Sequence, residues 1–178
     1  MAEHYRPLAV VKSQLEMTQD FKDALWQKII SAKIRNQAKC LRLCGLPAEK
    51  HQQIAAFADE VLPGDPRNRE AAAARPYFKY LFGGFFRRSD DDVTNAALNY
   101  GYAIIRSSVA KTLAAYGYYS VVGIHHISPS NHYNLADDMM EPLRPVVDMV
   151  VDRMCDELLV GEKWMQEELL DTKQVLEL

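Results

Sequence analysis

The chain has 178 residues, and 48% of them are hydrophobic, which is enough for the core of one ordinary domain. No apolar run approaches the roughly 20 residues that a membrane-spanning helix requires, and the first residues lack the layout of a secretory signal. Three cysteines fit a reduced cytosolic protein better than a disulfide framework or a zinc site. We therefore expect one domain that is not in a membrane and resides in the cytoplasm.

The net charge is only −3, but the charges are distributed unevenly. Residues 135–178 hold twelve acidic and four basic side chains, so the rest of the chain carries +5. Residues 22–51 alone hold seven basic side chains against two acidic ones. This asymmetry is typical of a basic nucleic-acid-binding face, and equally of ordinary solvated helix surfaces. Charge alone leaves both interpretations open.

The spacing of apolar residues and the helix-capping residues predict an all-α chain. A linker-like start over residues 1–17 comes first. Thr18 or Asp20 is expected to cap a long amphipathic helix that Gly45 closes. A second helix should open at Pro47 and run through Leu62, because proline is favoured in the first turn of a helix.

A third helix is expected from near Arg67, after the loop 63–66, to Gly83. It carries Glu70 in its first turns. Pro76 lies inside this helix and should kink it or force a local break, because proline lacks an N–H group and clashes with the preceding turn.

A fourth helix should be capped within residues 90–94 and end at Gly117, where glycine is a common helix stop. Its positions Asn95, Asn99 and Tyr102 recur at helical spacing and should form a polar and aromatic stripe on one side.

Residues 118–134 are expected to form a loop, and a last long helix should begin near Leu135. The segment 123–145 reads GIHHISPSNHYNLADDMMEPLRP and joins two adjacent histidines to three acids. The C-terminal tail, 161–178, should either form a short helix or fray.

Two carboxylates and one imidazole form the candidate site: Glu70, Glu141 and one of the paired histidines. Asp138 lies three residues before Glu141 and shares its helix face. Because most of these donors are hard oxygens, the set suits Mg²⁺ or Mn²⁺ better than a structural zinc. The ordinary explanation is that the acids complement a helix dipole and that the histidines are loop residues.

Four motifs in order distinguish these interpretations. They are ExxAARxYF at 70–78, NAALNYGY at 95–102, GIHH at 123–126 and NLADDMMEPLRP at 134–145. Together they resemble the CRISPR-associated spacer-acquisition integrase, and GIHH with MEPxRP is most similar to its type II branch. The resemblance extends from about His4 to Val160.

The resemblance implies a divalent-metal-dependent DNA endonuclease and strand transferase of the prokaryotic cytoplasm, which integrates short spacer DNA into a CRISPR array. By motif, the catalytic metal ligands are Glu70, His126 and Glu141, and the ion is Mg²⁺ or Mn²⁺. Asp138, His125 and Asn99 are expected to support these ligands, and His125 is the alternative ligand to His126.

Phosphate contacts are expected from four basic residues, which position DNA without reading its sequence: Arg75, Lys79, Arg87 and Arg88. The partners implied by the resemblance are double-stranded spacer precursor, repeat DNA, further copies of the chain and a small ferredoxin-like companion protein. The alternative from another class is a non-enzymatic helical module for assembly or DNA binding, in which the acids serve as helix caps.

Members of this family usually begin with a β-rich domain. Here the first residues already match the connection into the helical domain, so we expect a helical catalytic domain over 1–178, either truncated or naturally minimal. Its apolar start is expected to pack against a second copy in a helical homodimer interface, through Tyr5, Leu8, Val10, Val11 and Leu15.

Overall fold

The computed structural model describes residues 7–155, which form helices, turns and loops without a strand in that range. The helices are α1 Pro7–Leu15, α2 Gln19–Leu43, α3 Ala48–Asp59, α4 Arg69–Phe82, α5 Val93–Ala115 and α6 Asn134–Met140. A 3-10 turn, Glu141–Leu143, leads into a last helix, α7, described over 144–155. The predicted all-α class is confirmed. No helix in this part of the chain is long and apolar enough to cross a membrane.

The start of the chain differs from the expected linker, because residues 7–15 form helix α1. Its Gln14 is buried and donates hydrogen bonds from Nε2 to the carbonyls of Tyr119 at 2.8 Å and Val122 at 2.7 Å. The side-chain oxygen of Gln14 accepts from the Tyr119 N–H at 2.9 Å. Helix α1 is thus attached to the loop that precedes the paired histidines.

The apolar surface proposed for a dimer lies partly on α1. Leu8 and Leu15 are 69% and 65% exposed, while Val10 and Val11 are half-buried. Tyr5 and the tail 161–178 lie outside the described residues. The homodimer stays a prediction.

Helix α2 forms the centre of the fold. Thr18 caps it by accepting the Phe21 N–H at 3.3 Å, as predicted. Helices α3, α4 and α6 and the 3-10 turn all contact α2. Its inner face supplies the fully buried core residues Ile30, Ile34 and Leu41. Burial of this face, at about 1.5–3 kcal/mol per large aliphatic side chain, makes α2 the platform for the other helices.

Helix α3 ends at Asp59, three residues before the predicted end at Leu62. Pro63 explains part of the difference, because a proline disfavours helical geometry in the residue before it. Helix α4 continues through Pro76 without a local break. Ala73 and Tyr77 on either side of this proline are fully buried, so tertiary packing supports the helix there.

The predicted last long helix is divided in two, which corrects the sequence-based expectation. Helix α6 ends at Met140, and the 3-10 turn separates it from α7. Pro142 provides the physical reason, because it has no N–H to donate to the carbonyl of Asp138. The break places Glu141 at a change of helix geometry.

Helix α5 begins after Asp92, whose side chain accepts the Asn95 N–H at 2.7 Å, in agreement with the predicted cap. It packs against α7 at Gly101. A Cβ atom added at Gly101 would overlap the Val147 side chain. Glycine is therefore used inside α5 for a close helix–helix approach.

Gly101→Ala should lower the free energy of unfolding by about 1–3 kcal/mol, because overpacking at Val147 outweighs the higher helix propensity of alanine. Urea denaturation measures the change. Gly84→Ala is the matched control, since a Cβ there meets nothing within 4 Å and that variant should unfold like the wild type. A Gly101→Ala protein more stable than the wild type would contradict the close packing.

Candidate active site

A pair of carboxylates from distant parts of the chain faces one lysine. Glu70 lies in the first turn of α4, and Glu141 begins the 3-10 turn. Lys33 of α2 donates from Nζ to Glu70 Oε1 at 2.6 Å and to Glu141 Oε2 at 2.5 Å. The two carboxylates therefore point to the same position, as the candidate site requires.

The local structure fixes Glu70 at the start of α4. Asn68 adopts a left-handed conformation, with φ of 49°, and its side chain accepts the Ala71 N–H at 3.2 Å. Both carboxylate oxygens of Asp65 accept backbone N–H groups, from Arg69 at 2.8 Å and from Glu70 at 3.0 Å. These bonds satisfy the first N–H groups of the helix and hold the Glu70 backbone in place.

Burial and charge act in opposite directions on the pair. The Glu141 side chain is 5% exposed, and its second oxygen, Oε1, accepts from Arg144 Nε at 2.8 Å. Burial disfavours ionised Glu141, but the charges of Lys33 and Arg144 outweigh it and hold the pKa of this carboxyl below its usual range. Burial also disfavours protonated Lys33, yet Glu141 and Glu70 raise its pKa. The cations that contact Glu141 therefore favour its ionised form.

Asp138 organises the histidine loop. It is fully buried, and its Oδ2 accepts the N–H groups of Ile124 at 2.6 Å and His125 at 3.1 Å. Its Oδ1 accepts the His126 N–H at 3.1 Å and contacts His126 Nδ1 at 2.6 Å. A Cβ on Gly123 would overlap the His126 carbonyl and lie 3.0 Å from Asp138, so the tight loop requires glycine there.

The hydrogen bond from His126 Nδ1 to Asp138 raises the pKa of His126, although partial burial of the ring opposes the charged form. Because Nδ1 is engaged by Asp138, Nε2 is the nitrogen left for an ion. A carboxylate on the second ring nitrogen is the usual arrangement of a metal-binding histidine. Asp138 contacts His126, and its role in supporting a metal ligand stays a prediction.

The neighbouring His125 has a different environment. Its ring stacks on Trp26 with a centroid distance of 4.1 Å and an interplanar angle of 1°. Trp26 is only 2% exposed, and the His126 ring meets its edge at 5.9 Å. His125 therefore braces the loop against α2, and this arrangement favours His126 as the candidate ligand.

The three candidate ligands do not all converge. Within residues 7–155, no three His, Cys, Asp or Glu side chains are arranged to hold a metal ion. Glu70 and Glu141 meet at Lys33, whereas His126 is linked to Glu141 by electrostatics, since the carboxylate helps to raise the pKa of His126. The donor types nevertheless fit a hard divalent cation, because two carboxylates already bind one positive charge and the imidazole is oriented by Asp138.

Asn99 was predicted to support the ligands, and the structure places it in the predicted stripe of α5. Arg88 donates to Asn95 Oδ1 and Asn99 Oδ1, both at 2.5 Å, and its guanidinium lies 5.4 Å from the Tyr102 ring centroid. Arg144 lies over the same ring at 4.6 Å. Asn99 therefore positions Arg88, and Arg144 links the stripe to Glu141.

Cavities connect the carboxylate pair to a basic surface. One, of about 250 Å³, is lined by Lys33, Glu70 and Glu141 together with Arg88 and Arg144. A neighbouring cavity of about 370 Å³ is lined by Phe78, Phe86 and the four residues predicted to contact phosphate, Arg75, Lys79, Arg87 and Arg88. Phe78 and Arg88 line both cavities, so the cavity of the predicted DNA-contacting residues adjoins that of the carboxylates.

Sequence reasoning missed Lys33, Arg144 and Asp148. Lys33 carried a detectable signal, because it interrupts the apolar stripe of Ile29, Ile30 and Ile34 and must be buried with them. Asp148 lies behind the site and accepts the hydroxyl groups of Tyr77 and Tyr102. Burial raises the pKa of Asp148 to about 6.

Comparison with known proteins identifies the family. The sequence pattern of the family described as CRISPR associated protein Cas1 matches residues 1–169. The chain belongs to the Cas1 family. It is 45% identical over 152 residues to the CRISPR-associated endonuclease Cas1 of Neisseria meningitidis serogroup C (strain 8013), covering 84% of this chain and 49% of that protein. With a Cas1 endonuclease of Pyrobaculum aerophilum it shares 37% identity over 109 residues, covering 59% and 37% of the two chains.

Solved structures agree with the Cas1 fold. A casposase bound to integration product superposes with a TM-score of 0.72 at 21% identity, covering 85% of this chain and 50% of that one. A chain of a partial Cas6-RT-Cas1–Cas2 complex also superposes with a TM-score of 0.72, at 24% identity, covering 88% of this chain and 54% of that one. The chain spans about half the length of these two structures and of the Neisseria relative.

Asp138→Asn should lower the pKa of His126, because the main cause of its elevation is the bond to Asp138. A histidine whose pKa is raised by folding stabilises the folded state at pH values below the pKa of the unfolded chain. This stabilisation is lost as pH rises through the pKa of the folded state. The wild type should therefore gain more stability than Asp138→Asn as pH falls from about 8 to 5. NMR titration of the His126 ring and denaturation at several pH values measure both effects.

Asp137→Asn is the control, because it changes a neighbouring acid of α6 that makes only a weak contribution to the His126 pKa. An unchanged His126 pKa in Asp138→Asn would contradict the assigned cause.

Proposed function

We propose that this Cas1-family chain provides the active site of a divalent-metal-dependent DNA endonuclease and strand transferase that inserts short DNA into a CRISPR array. The observation that carries the proposal is the convergence of Glu70 and Glu141 on one cation. The third proposed ligand, His126, has its ring oriented by the buried Asp138 carboxylate. The family match and the name of the Neisseria relative support it.

Glu70, Glu141 and His126 through Nε2 would hold the ion, which we propose to be Mg²⁺ or Mn²⁺. When bound, such an ion polarises a phosphodiester and stabilises negative charge on an attacking or leaving oxygen. Asp138 keeps the His126 ring in the tautomer with Nδ1–H. Arg144 holds Glu141 ionised and extends positive charge into the adjoining cavity.

The basic side chains beside the pair would position DNA through its phosphates. Arg75, Lys79 and Arg87 are exposed and line the cavity of about 370 Å³. Arg88 lines both this cavity and the one that contains the carboxylates. Water as nucleophile gives cleavage, and a DNA 3′-hydroxyl at the same position gives strand transfer. We propose spacer precursor and repeat DNA as substrates, in line with the integration product bound by the similar casposase.

We propose two protein partners, a second copy of the chain and a small ferredoxin-like companion protein. The similar Cas6-RT-Cas1–Cas2 complex, in which a Cas1 protein is assembled with other proteins, supports a companion. The exposed leucines of α1 are consistent with a surface for a second copy.

A non-enzymatic module with acids as helix caps is less favoured. The capping side chains are Asn68 for α4 and Asp92 for α5. Helix α6 has no capping side-chain hydrogen bond at its start. The Glu70 and Glu141 side chains instead accept hydrogen bonds from Lys33. A capping side chain would accept backbone N–H groups, so these contacts are more typical of a charged site.

Glu70→Gln, Glu141→Gln and His126→Ala should each lower metal-dependent cleavage or strand transfer by at least about a hundredfold, because each removes a ligand of the ion. Assays of labelled branched DNA in Mn²⁺ measure this effect. His125→Ala should be milder. Glu49→Gln, on the exposed first turn of α3, is the matched control and should keep wild-type activity. Wild-type activity in Glu141→Gln would contradict the assignment.

The double variant in which glutamine replaces both Arg75 and Lys79 should bind DNA more weakly, and to a similar degree for unrelated DNA sequences. The slope of log affinity against log salt concentration should become shallower by about one unit per lost phosphate contact. Fluorescence anisotropy over a salt series measures the slope. Gln replacement of Lys12 and Lys111, exposed on α1 and α5 and outside the basic segment 22–51, serves as the control for lost charge. A slope equal to that of the wild type would show that DNA does not contact the Arg75 and Lys79 surface.

A further inference from the structure

Lys33 is the least expected charged residue of the protein. It is only 8% exposed and lies on the core-facing side of α2, between the carboxylates of Glu70 and Glu141. Lysine is almost never buried to this degree without a partner, and here it has two. Its position coincides with the point at which the proposed ion would meet the same carboxylates.

Three carboxylate oxygens of the pair accept hydrogen bonds from cations. Lys33 Nζ donates to Glu70 Oε1 and Glu141 Oε2, and Arg144 Nε donates to Glu141 Oε1. A divalent ion therefore meets a Glu141 carboxylate on which both oxygens accept hydrogen bonds from cations. Adding two positive charges beside the buried ammonium also creates strong repulsion, because charges a few ångström apart are weakly screened in a protein interior.

We propose that Lys33 is a displaceable internal cation, which holds Glu70 and Glu141 together without metal and leaves them when a divalent ion binds. This inference rests on the proposed metal-dependent function. Metal affinity is then set partly by competition with the protein's own ammonium group. The carboxylates stay paired with positive charge in both states, so neither is left buried and unpaired.

The structure provides a place for the released side chain. Lys33 lines the cavity of about 250 Å³ that also includes Arg88 and Arg144. Its long, flexible stem allows the ammonium to turn into this space without movement of α2. Metal binding would then free the Lys33 charge from its carboxylate partners within a cavity that Arg88 and Arg144 also line, next to the proposed phosphate surface, and so would strengthen DNA binding.

The first test compares Mn²⁺ affinity in the wild type and in Lys33→Met, which keeps the unbranched stem and removes the charge. Electron paramagnetic resonance of free Mn²⁺ measures the dissociation constant without DNA or turnover. We expect Lys33→Met to bind Mn²⁺ at least about tenfold more tightly, equivalent to about 1.4 kcal/mol. Lys28→Met, exposed on the same helix, should match the wild type. Equal or weaker binding by folded Lys33→Met would overturn the proposal.

The second test uses the unmodified protein and so does not depend on the folding of a variant. Brief acetylation followed by peptide mass spectrometry measures the reactivity of each lysine. Saturating Mn²⁺ should increase labelling of Lys33 several-fold and leave Lys28 unchanged, because the displaced amine leaves its buried ion pairs. Unchanged Lys33 labelling in protein that binds Mn²⁺ overturns the displacement and leaves the metal site intact. Failure of the folded wild type and Lys33→Met to bind Mn²⁺ overturns both this inference and the proposed metal dependence.

Discussion

The ammonium of Lys33, shared by Glu70 and Glu141, is the interaction on which the site depends. It joins α2, the start of α4 and the 3-10 turn after α6 at one buried point. Removing one member of a buried ion pair commonly costs about 3–5 kcal/mol, because the partner charge is left without compensation. Two acidic side chains can therefore lie close together in this fold only if a cation accompanies them. The same requirement makes the pair suited to a metal ion.

A second centre of organisation lies in the loop before α6. The Asp138 carboxylate accepts three backbone N–H groups and the ring of His126, so one buried side chain sets the shape of the loop and the direction of the imidazole. Gln14 holds the earlier part of the loop, and Asn134 donates to the carbonyls of Val121 and Ser128. The histidine is thus placed by hydrogen bonds rather than by regular secondary structure. This arrangement ties the position of His126 to helix α1.

Local rules predicted most helix boundaries, because caps act over three or four residues. Thr18 and Asp92 bind the N–H groups that their positions in the sequence suggest. The break in the last helix also has a local cause, Pro142. The helical spacing of apolar residues on both sides of this proline nevertheless favoured the prediction of one continuous helix. Helix α1 was missed because its main anchor, Gln14, bonds to residues more than 100 positions away.

The candidate site likewise contains residues that the sequence indicated and one, Lys33, whose role it did not. The motifs indicated Glu70, His126 and Glu141 as candidate ligands and Asp138 as a supporting residue, since these residues lie within short sequence motifs. The role of Lys33 needed tertiary structure, because its two partners are 37 and 108 positions away in the chain. A lysine within an apolar helix stripe was the only local sign. Such a residue is a useful marker of a buried acidic partner elsewhere in the sequence.

Anomalous diffraction from crystals soaked in Mn²⁺ would locate the ion and show the position of Lys33 in the same experiment. We predict a peak with Glu70, Glu141 and His126 Nε2 as ligands, at about 2.0–2.6 Å for the oxygens, the range from Mg²⁺ to Ca²⁺. In the same map the Lys33 ammonium should have left the carboxylates. Crystals at saturating Mn²⁺ with no anomalous peak and with Lys33 still bonded to Glu70 and Glu141 would contradict this prediction.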